Sequence, residues 1–495
     1  MSSLIIAIDQ GTTSCRALLF DAAFSIRDIC QQEIRQIYPK PGWVEHDPME
    51  ILKIQSEMVR SLVQRNKIGP RDVSCIGITN QRETVVLWNK KTGIPVYNAI
   101  VWQDTRTTEA CQKIKSDGME DAISLSTGLL ADSYFSATKI KWIFENVKGV
   151  SELASQGLLM AGTMDSWLLW NFCSEKPHLT DTTNASRTLL FDIRKAKWDQ
   201  HLLEYFAIPE TILPNVKDTI SHFGTSDIRV LGIEAPITAV AGDQQAALFG
   251  QQCFQAGTAK NTYGTGCFML MHTGSIPVKS ESRLLTTIAW SERGIIEYAL
   301  EGSVFISGAA IQWLRDGLKI IKNAGDSEFL ASAVQDTGGV YFVPAFAGMG
   351  APFWEMDARG AIFGITRSTT EKEIARAALE SIAYQSKDVL DAMERDSAVS
   401  LCSIKADGGA ATNNFLMQFQ ADILGIEVSR SSVMESTALG VALMAGAGYG
   451  IHNRFEIENI NPPERIFTPK MSSEEKENKY KGWRKAVNAV CHYGK

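Results

Sequence analysis

The chain of 495 residues has a formal net charge of −7 and is 45% hydrophobic. That is ordinary for a globular protein and too long for one hydrophobic core, so two large domains are expected. There is no long Lys/Arg block to suggest a nucleic-acid surface and no apolar stretch long enough to span a bilayer, and nine singly scattered cysteines without a CxxC pair support neither a metal site nor a disulfide framework.

The opening MSSLIIAIDQ lacks a basic segment and its apolar run is broken by Asp9, so it is not read as a signal peptide. With the cysteine usage, this suits a reducing cytoplasm. Residues 4–8 and 17–20 are short apolar runs around the turn DQGTTS, a β-hairpin signal. Backbone N–H groups in such a turn can form an anion site, with the hydroxyls of Thr12, Thr13 and Ser14 as extra donors. Asp9 then stands where a hydrated Mg²⁺ would bridge a nucleotide's phosphates, and Arg16 is within reach of them. A polar hairpin tip without a ligand is the competing reading.

A helix is expected from Asp47, with Asp47 as cap, Pro48 in the first position and Glu50 completing a capping box. CIGITNQ (75–81) and TVVLW (84–88) read as strands, the second ended by the turn NKKTG. Between them TNQRET places Arg82 beside Glu83, most simply a solvated surface pair. Taken with Trp102 and Tyr134 further on, they offer polar groups for hydroxyls and an aromatic wall for carbon atoms, the mixture a small polyol needs. LLMAGTMDSWLLWNF (158–172) is strand, helix or both in turn, which periodicity does not decide.

Near the middle the opening pattern returns. APITAVAGDQQAALFG (235–250) is a strand, a Gly-Asp turn and a helix. Asp243 lies at the strand end, where α/β sheets bind ligands, and can accept the proton of a hydroxyl attacking phosphorus; capping the helix explains it equally well. AKNTYGTGCFMLM (259–271) is a second hairpin, and its Gly264, Thr265 and Gly266 can close on the same phosphates from the other half. A long helix is expected over 369–394, with Thr370 as cap and Glu373 three residues on. In DGGAATNN (407–414), Gly408 and Gly409 allow close backbone approach to a base or sugar, and Asn413 either contacts a purine edge or caps the next helix. No Walker A run occurs. The Gly/Ala-rich stretch 437–450 reads as a helix packed closely in the interior. Two hairpin starts suggest duplicated architecture with a boundary near residue 250.

These stretches, with YPKPGWVEHDP, NAIVWQ, TNASRT, LEGSVFISGAAIQWLRD, PAFAGMGAPFW and ARGAIFGITR, closely resemble the FGGY carbohydrate kinases, and among them those that phosphorylate glycerol. The likeness runs from about residue 4 to residue 450. It implies an α/β protein of two RNase H-like domains, of the actin and sugar-kinase type, facing across a cleft. Residues 1–250 would carry the polyol site and the first phosphate hairpin, and residues 251–495 the nucleotide site. The resemblance implies transfer of the γ-phosphoryl group of ATP to glycerol, giving sn-glycerol 3-phosphate and ADP. Carried over by motif, Arg82, Glu83, Trp102, Tyr134, Asp243, Gln244 and Phe268 would hold glycerol, with Asp243 as base. Thr12, Thr13, Ser14, Arg16, Thr265, Gly308, Gln312, Gly409 and Asn413 would hold ATP, and Asp9 would position Mg²⁺ through water. A homo-oligomer, dimer or tetramer, is also implied.

One stretch departs from the pattern. Some bacterial relatives bind fructose 1,6-bisphosphate in a Gly-rich, Arg-containing loop, and others are phosphorylated there on a His. Here SDIRVLGIEAPIT (226–238) is shorter, has only Gly232, and places Arg229 near the His position with His222 several residues earlier. Neither form of regulation is expected. Two competing readings are a kinase of another polyol or pentulose, and an actin-like ATPase indifferent to polyols.

Overall fold

A computed structural model describes residues 4–452, 456–457 and 460–493, so the first three residues of the opening stretch lie outside the described part. Thirteen strands form one continuous sheet: β1 (Leu4–Gln10), β2 (Ser14–Phe20), β3 (Ile26–Glu33), β4 (Val73–Asn80), β5 (Ile220–Thr225), β6 (Pro236–Gly242), β7 (Thr258–Tyr263), β8 (Cys267–Gly274), β9 (Leu285–Glu292), β10 (Ile295–Val304), β11 (Ser403–Asp407), β12 (Glu427–Ser431) and β13 (Pro463–Phe467). The helices used below are α1 (Pro48–Arg65), α2 (Ser136–Asn146), α3 (Met164–Phe172), α4 (Asp243–Gly250), α5 (Gly308–Asp316), α6 (Glu371–Ser397), α7 (Asn414–Leu424), α8 (Ser436–Tyr449) and α9 (Ser473–Tyr493).

The expected duplication appears in the strand order β13-β12-β11-β7-β8-β10-β9-β5-β6-β4-β1-β2-β3. In the first half β1 pairs antiparallel with β2 and parallel with β4; in the second β7 pairs antiparallel with β8 and parallel with β11. The halves meet at β5 and β9. Strands read as near-continuous apolar runs because helices cover both faces of the sheet. Alternate residues of β1 separate accordingly: Ile6 and Ile8 pack in a cluster with Val59 and Leu62 of α1, and Ile5 and Ala7 in one with Val441 and Met444 of α8.

Local signals explain most boundaries. Asp47 accepts hydrogen bonds from the Met49 and Glu50 amides and Pro48 opens α1; Glu50 accepts from the Arg35 amide at 3.1 Å, an exposed contact that draws it away from the expected capping box. At α6 the capping box of Thr370 and Glu373 is complete, and the helix runs three residues past the expected end. Residues 158–172 become a strand, Leu159–Thr163, and then α3. The Gly/Ala-rich α8 packs against α4 without room for side chains. A Cβ on Gly440 would lie 1.8 Å from the Ala246 carbonyl oxygen, and one on Gly250 2.1 Å from that of Ser436. Among the described residues, no helix is long and apolar enough to cross a membrane.

Candidate active site

The parallel strands of the first half deliver acids to their carboxyl ends. Asp9 is the penultimate residue of β1, beside Thr79 of β4, and Asp243 follows directly on β6, two strands from β1. Past β4 the chain turns through Glu83, whose φ of +61° is unusual for a residue with a side chain. With that turn Arg82 and Glu83 both point inward, 3% and 1% exposed. The surface-pair reading is therefore overturned: the pair is held in the interior by charges that the rest of the fold supplies.

Arg82 is the hub. Its Nε lies 3.2 Å from Asp243 Oδ1. Nη1 donates to Glu301 Oε2 at 2.6 Å, and Nη2 donates to Tyr134 Oη at 3.3 Å and Glu301 Oε1 at 3.2 Å. Glu83 accepts from Arg187 Nε at 2.6 Å, and Arg187 Nη2 donates to Glu301 at 2.9 Å. Two guanidinium groups thus alternate with two carboxylates in the dry interior, which makes removal of any one member costly. Burial alone would raise the pKa of Glu301, but Arg187 and Arg82 more than reverse this and bring it down to about 2. Asp243 differs: about 30% of its side chain meets solvent. Burial pushes its pKa up and Arg82 only partly opposes this, which moves a carboxylate toward the range useful for a base.

An aromatic wall flanks the cluster. Trp102 meets Tyr134 edge-on, ring centroids 5.4 Å apart, and donates from Nε1 to Thr12 Oγ1 at 2.9 Å. The buried ammonium of Lys139, on α2, donates to the carbonyls of Ser133, Tyr134 (2.7 Å) and Phe135 (3.2 Å), fixing the loop that carries Tyr134. Gln244, the second residue of α4, accepts from Lys260 on β7, while its amide donates to Asp243 Oδ1 at 2.7 Å. Phe268 sits half-buried on β8 opposite Thr262 and Ser303.

The first hairpin is tightly turned, with the Gly11 amide donating to the Ser14 carbonyl at 2.9 Å. Thr12, Thr13 and Ser14 remain at least partly accessible. Arg16 bridges Asp9 and Glu435, so it ties the first hairpin to the start of α8. Among the described residues no group of three or more His, Cys, Asp or Glu could hold a metal. Asp9, a single buried carboxylate at a strand end, suits an ion that keeps most of its water and takes its other ligands from phosphates, as Mg²⁺ does.

In the second half a cavity of about 280 Å³ is lined by Thr265, Gly308, Gln312, Gly409 and Asn413 among others, the full set expected there for a nucleotide. Its lining includes no residue of the first hairpin. The hairpin Gly264–Gly266 rests on the start of α5: the Gly308 and Ala309 amides donate to the carbonyls of Gly264 (3.0 Å) and Thr265 (3.1 Å). Asn413 caps α7 by accepting from the Leu416 N–H at 2.9 Å, as the capping reading expects, and it also lines the cavity. The two glycines of DGG separate in role. A Cβ on Gly408 would lie 2.6 Å from the Tyr263 carbonyl oxygen, so strand packing demands that glycine, whereas Gly409 faces open space.

Glu301, Arg187 and Lys260 escaped the reading of motifs for chemistry. Glu301 and Lys260 carried a signal nonetheless: a charge set inside a strand, as in YALEGSVF and TAKNTY, has to find a partner once buried, whereas Arg187 lies in a turn and carried none.

Residues 4–250 match the model of the FGGY family of carbohydrate kinases, N-terminal domain, and residues 259–449 that of the C-terminal domain. The chain is 56% identical over 484 residues to a glycerol kinase of Halorhodospira halophila, covering 98% of this chain and 96% of that one. It is 55% identical over 494 residues to one of Caldanaerobacter subterraneus subsp. tengcongensis, covering 100% and 99%. Among solved structures, Plasmodium falciparum glycerol kinase with ADP superposes with a TM-score of 0.95 at 36% identity, covering 99% of this chain and 98% of that one. Gluconate kinase of Lactobacillus acidophilus, at 22% identity and a TM-score of 0.89 over 99% of both chains, shares the fold.

Proposed function

The chain belongs to the FGGY family of carbohydrate kinases, and we propose that it transfers the γ-phosphoryl group of ATP to glycerol, giving sn-glycerol 3-phosphate and ADP. The observation that supports this reading is the gathering of Asp243, Glu83 and Tyr134 around the buried Arg82, with Trp102 against Tyr134. Glycerol offers three hydroxyls and a short carbon backbone. Arg82 and Tyr134 donate to hydroxyls, Glu83 accepts, and Trp102 and Phe268 cover carbon, with Gln244 beside Asp243.

ATP enters between the halves. Its nucleoside part takes the cavity bounded by Gly308, Gln312, Gly409 and Asn413, and its phosphates run toward Thr265 on one side and Thr12, Thr13 and Ser14 on the other. Arg16 is released from Asp9 to meet the nucleotide. Asp9 would hold Mg²⁺ through water, and the ion would supply charge neutralisation at the phosphates. Because the cavity wall omits the first hairpin, closure of the halves completes the site and excludes water. The attacking oxygen of glycerol forms its bond to the γ-phosphorus as the bond to the β-phosphate oxygen breaks, and its proton passes to Asp243. Positioning and electrostatics supply most of the rate gain. We divide the chain near residue 250 into a polyol half and a nucleotide half, with Glu301 reaching back from the second into the first. We place the protein in the cytoplasm, where its nine cysteines stay reduced.

ADP release from ATP, measured alone and with glycerol, xylulose, gluconate or other polyols, tests the reading. Release should depend on glycerol. Equal release without any polyol would make the protein an ATPase, and preference for a pentulose would reassign the substrate. Asp243→Asn should keep glycerol binding and lose about 10²- to 10⁴-fold in kcat; near-normal turnover would remove Asp243 as base.

A further inference from the structure

Lys260 lies in the middle of β7 and is fully buried. An ammonium taken out of water needs a counter-charge close by, or it weakens the fold. Its hydrogen-bond acceptors here are the side-chain oxygens of Gln244 and Thr262, the latter at 3.0 Å, and both are neutral. An ammonium has three N–H donors, so two acceptors leave one to spare. Asp407, Asp243 and Glu301 act on it from farther away, and Arg82 repels it.

The two acceptors also locate it. Gln244 directly follows the proposed base, and Thr262 stands two residues before the Gly264–Gly266 hairpin. The ammonium therefore lies between the residue that takes the proton and the loop proposed to hold the phosphates. We propose that Lys260 is a catalytic residue whose ammonium binds an oxygen of the phosphoryl group during transfer. This rests on the kinase reading above. Lys260 keeps its proton throughout; the glycerol oxygen–phosphorus bond forms, the bond to ADP breaks, and the glycerol proton goes to Asp243. The negative phosphoryl oxygens provide a counter-charge within hydrogen-bond reach, closer than Asp407, Asp243 and Glu301. Burial lowers the pKa of Lys260, and an arriving phosphoryl group favours the charged form, so the cation is strongest when the transfer needs it.

The test compares Lys260→Met and Lys260→Arg with the wild-type chain in turnover, melting temperature, and binding of ADP with and without aluminium fluoride, a planar phosphoryl mimic, in the presence of glycerol. Lys260→Met should lose about 100-fold or more in kcat, as removal of one transition-state donor does. Its ADP affinity should stay, the tightening of ADP by aluminium fluoride should vanish, and its melting temperature should be unchanged or higher because a buried charge has gone. Lys260→Arg should recover part of both lost properties. Turnover of Lys260→Met close to wild type, or undiminished tightening by aluminium fluoride, overturns the proposal. So does a Lys260→Met chain that melts early or fails to fold, because the lysine is then structural. A wild-type chain without polyol-dependent ADP release contradicts the kinase reading instead, and a wild-type chain that prefers another polyol leaves the Lys260 comparison to be made with that polyol.

Discussion

Replacing Glu301 by Gln keeps the shape of the side chain and removes one negative charge from the cluster behind the proposed glycerol site. The carboxylate accepts three hydrogen bonds, at 2.6 and 3.2 Å from Arg82 and 2.9 Å from Arg187. Its pKa falls from the ordinary 4.5 to about 2 on folding, equivalent to about 3 kcal/mol of stability at neutral pH. Breaking a buried pair by removing one partner costs about 3–5 kcal/mol, so the two routes agree. The melting temperature should therefore fall by about 3–6 °C in a chain of this size. Freed on one side, Arg82 leans toward Glu83 and Asp243, and the glycerol KM should rise about 10-fold or more, with the ATP KM little changed. The pH dependence identifies the cause. A carboxyl with a depressed folded pKa stabilises above its unfolded pKa, and the stabilisation is lost as pH falls from about 4.5 through about 2. The gap in melting temperature between wild type and variant should thus be full at pH 7 and narrow steadily below about 4.5. A Glu301→Gln chain with unchanged melting temperature and unchanged glycerol KM would falsify the view that this carboxylate sets Arg82.

Lys139→Met should raise the glycerol KM about 10-fold through the Tyr134 loop and leave the ATP KM alone. In the wild type the same KM should climb as pH passes about 8, since burial, only partly offset by Glu83, Asp104, Asp132 and Cys111, lowers the Lys139 pKa to about 8; a flat KM from pH 7 to 9 speaks against it. Gly440→Ala forces a Cβ to within 1.8 Å of the Ala246 carbonyl oxygen and should destabilise by about 1–3 kcal/mol, read as earlier thermal unfolding; an unshifted transition means that α4 and α8 separate freely. Gly409→Val adds bulk where nothing lies within 4 Å, so the melting temperature should hold while the ATP KM rises about 10-fold; an unaffected ATP KM moves the nucleotide elsewhere.

Elements governed by neighbours in sequence were legible in the sequence. The two hairpins, the Asp47 and Thr370 caps and the Gly/Ala-rich helix α8 each depend on a few adjacent residues or on local composition, so composition and spacing suffice. The acids Asp9 and Asp243 stood out because each follows an apolar run. The family resemblance supplied the residues expected to hold glycerol and ATP, and five of the latter line one cavity. Only the tertiary structure decided what surrounds them. Arg82 and Glu83 look like a surface pair until Arg187, 104 residues beyond Glu83, and Glu301, 219 beyond Arg82, close around them. Lys260 acquires its meaning from Gln244 on α4, and Gly408 is a glycine because Tyr263 lies against it. Charge balance in a dry interior is set by groups far apart in the chain, and the sequence does not state which of them will meet.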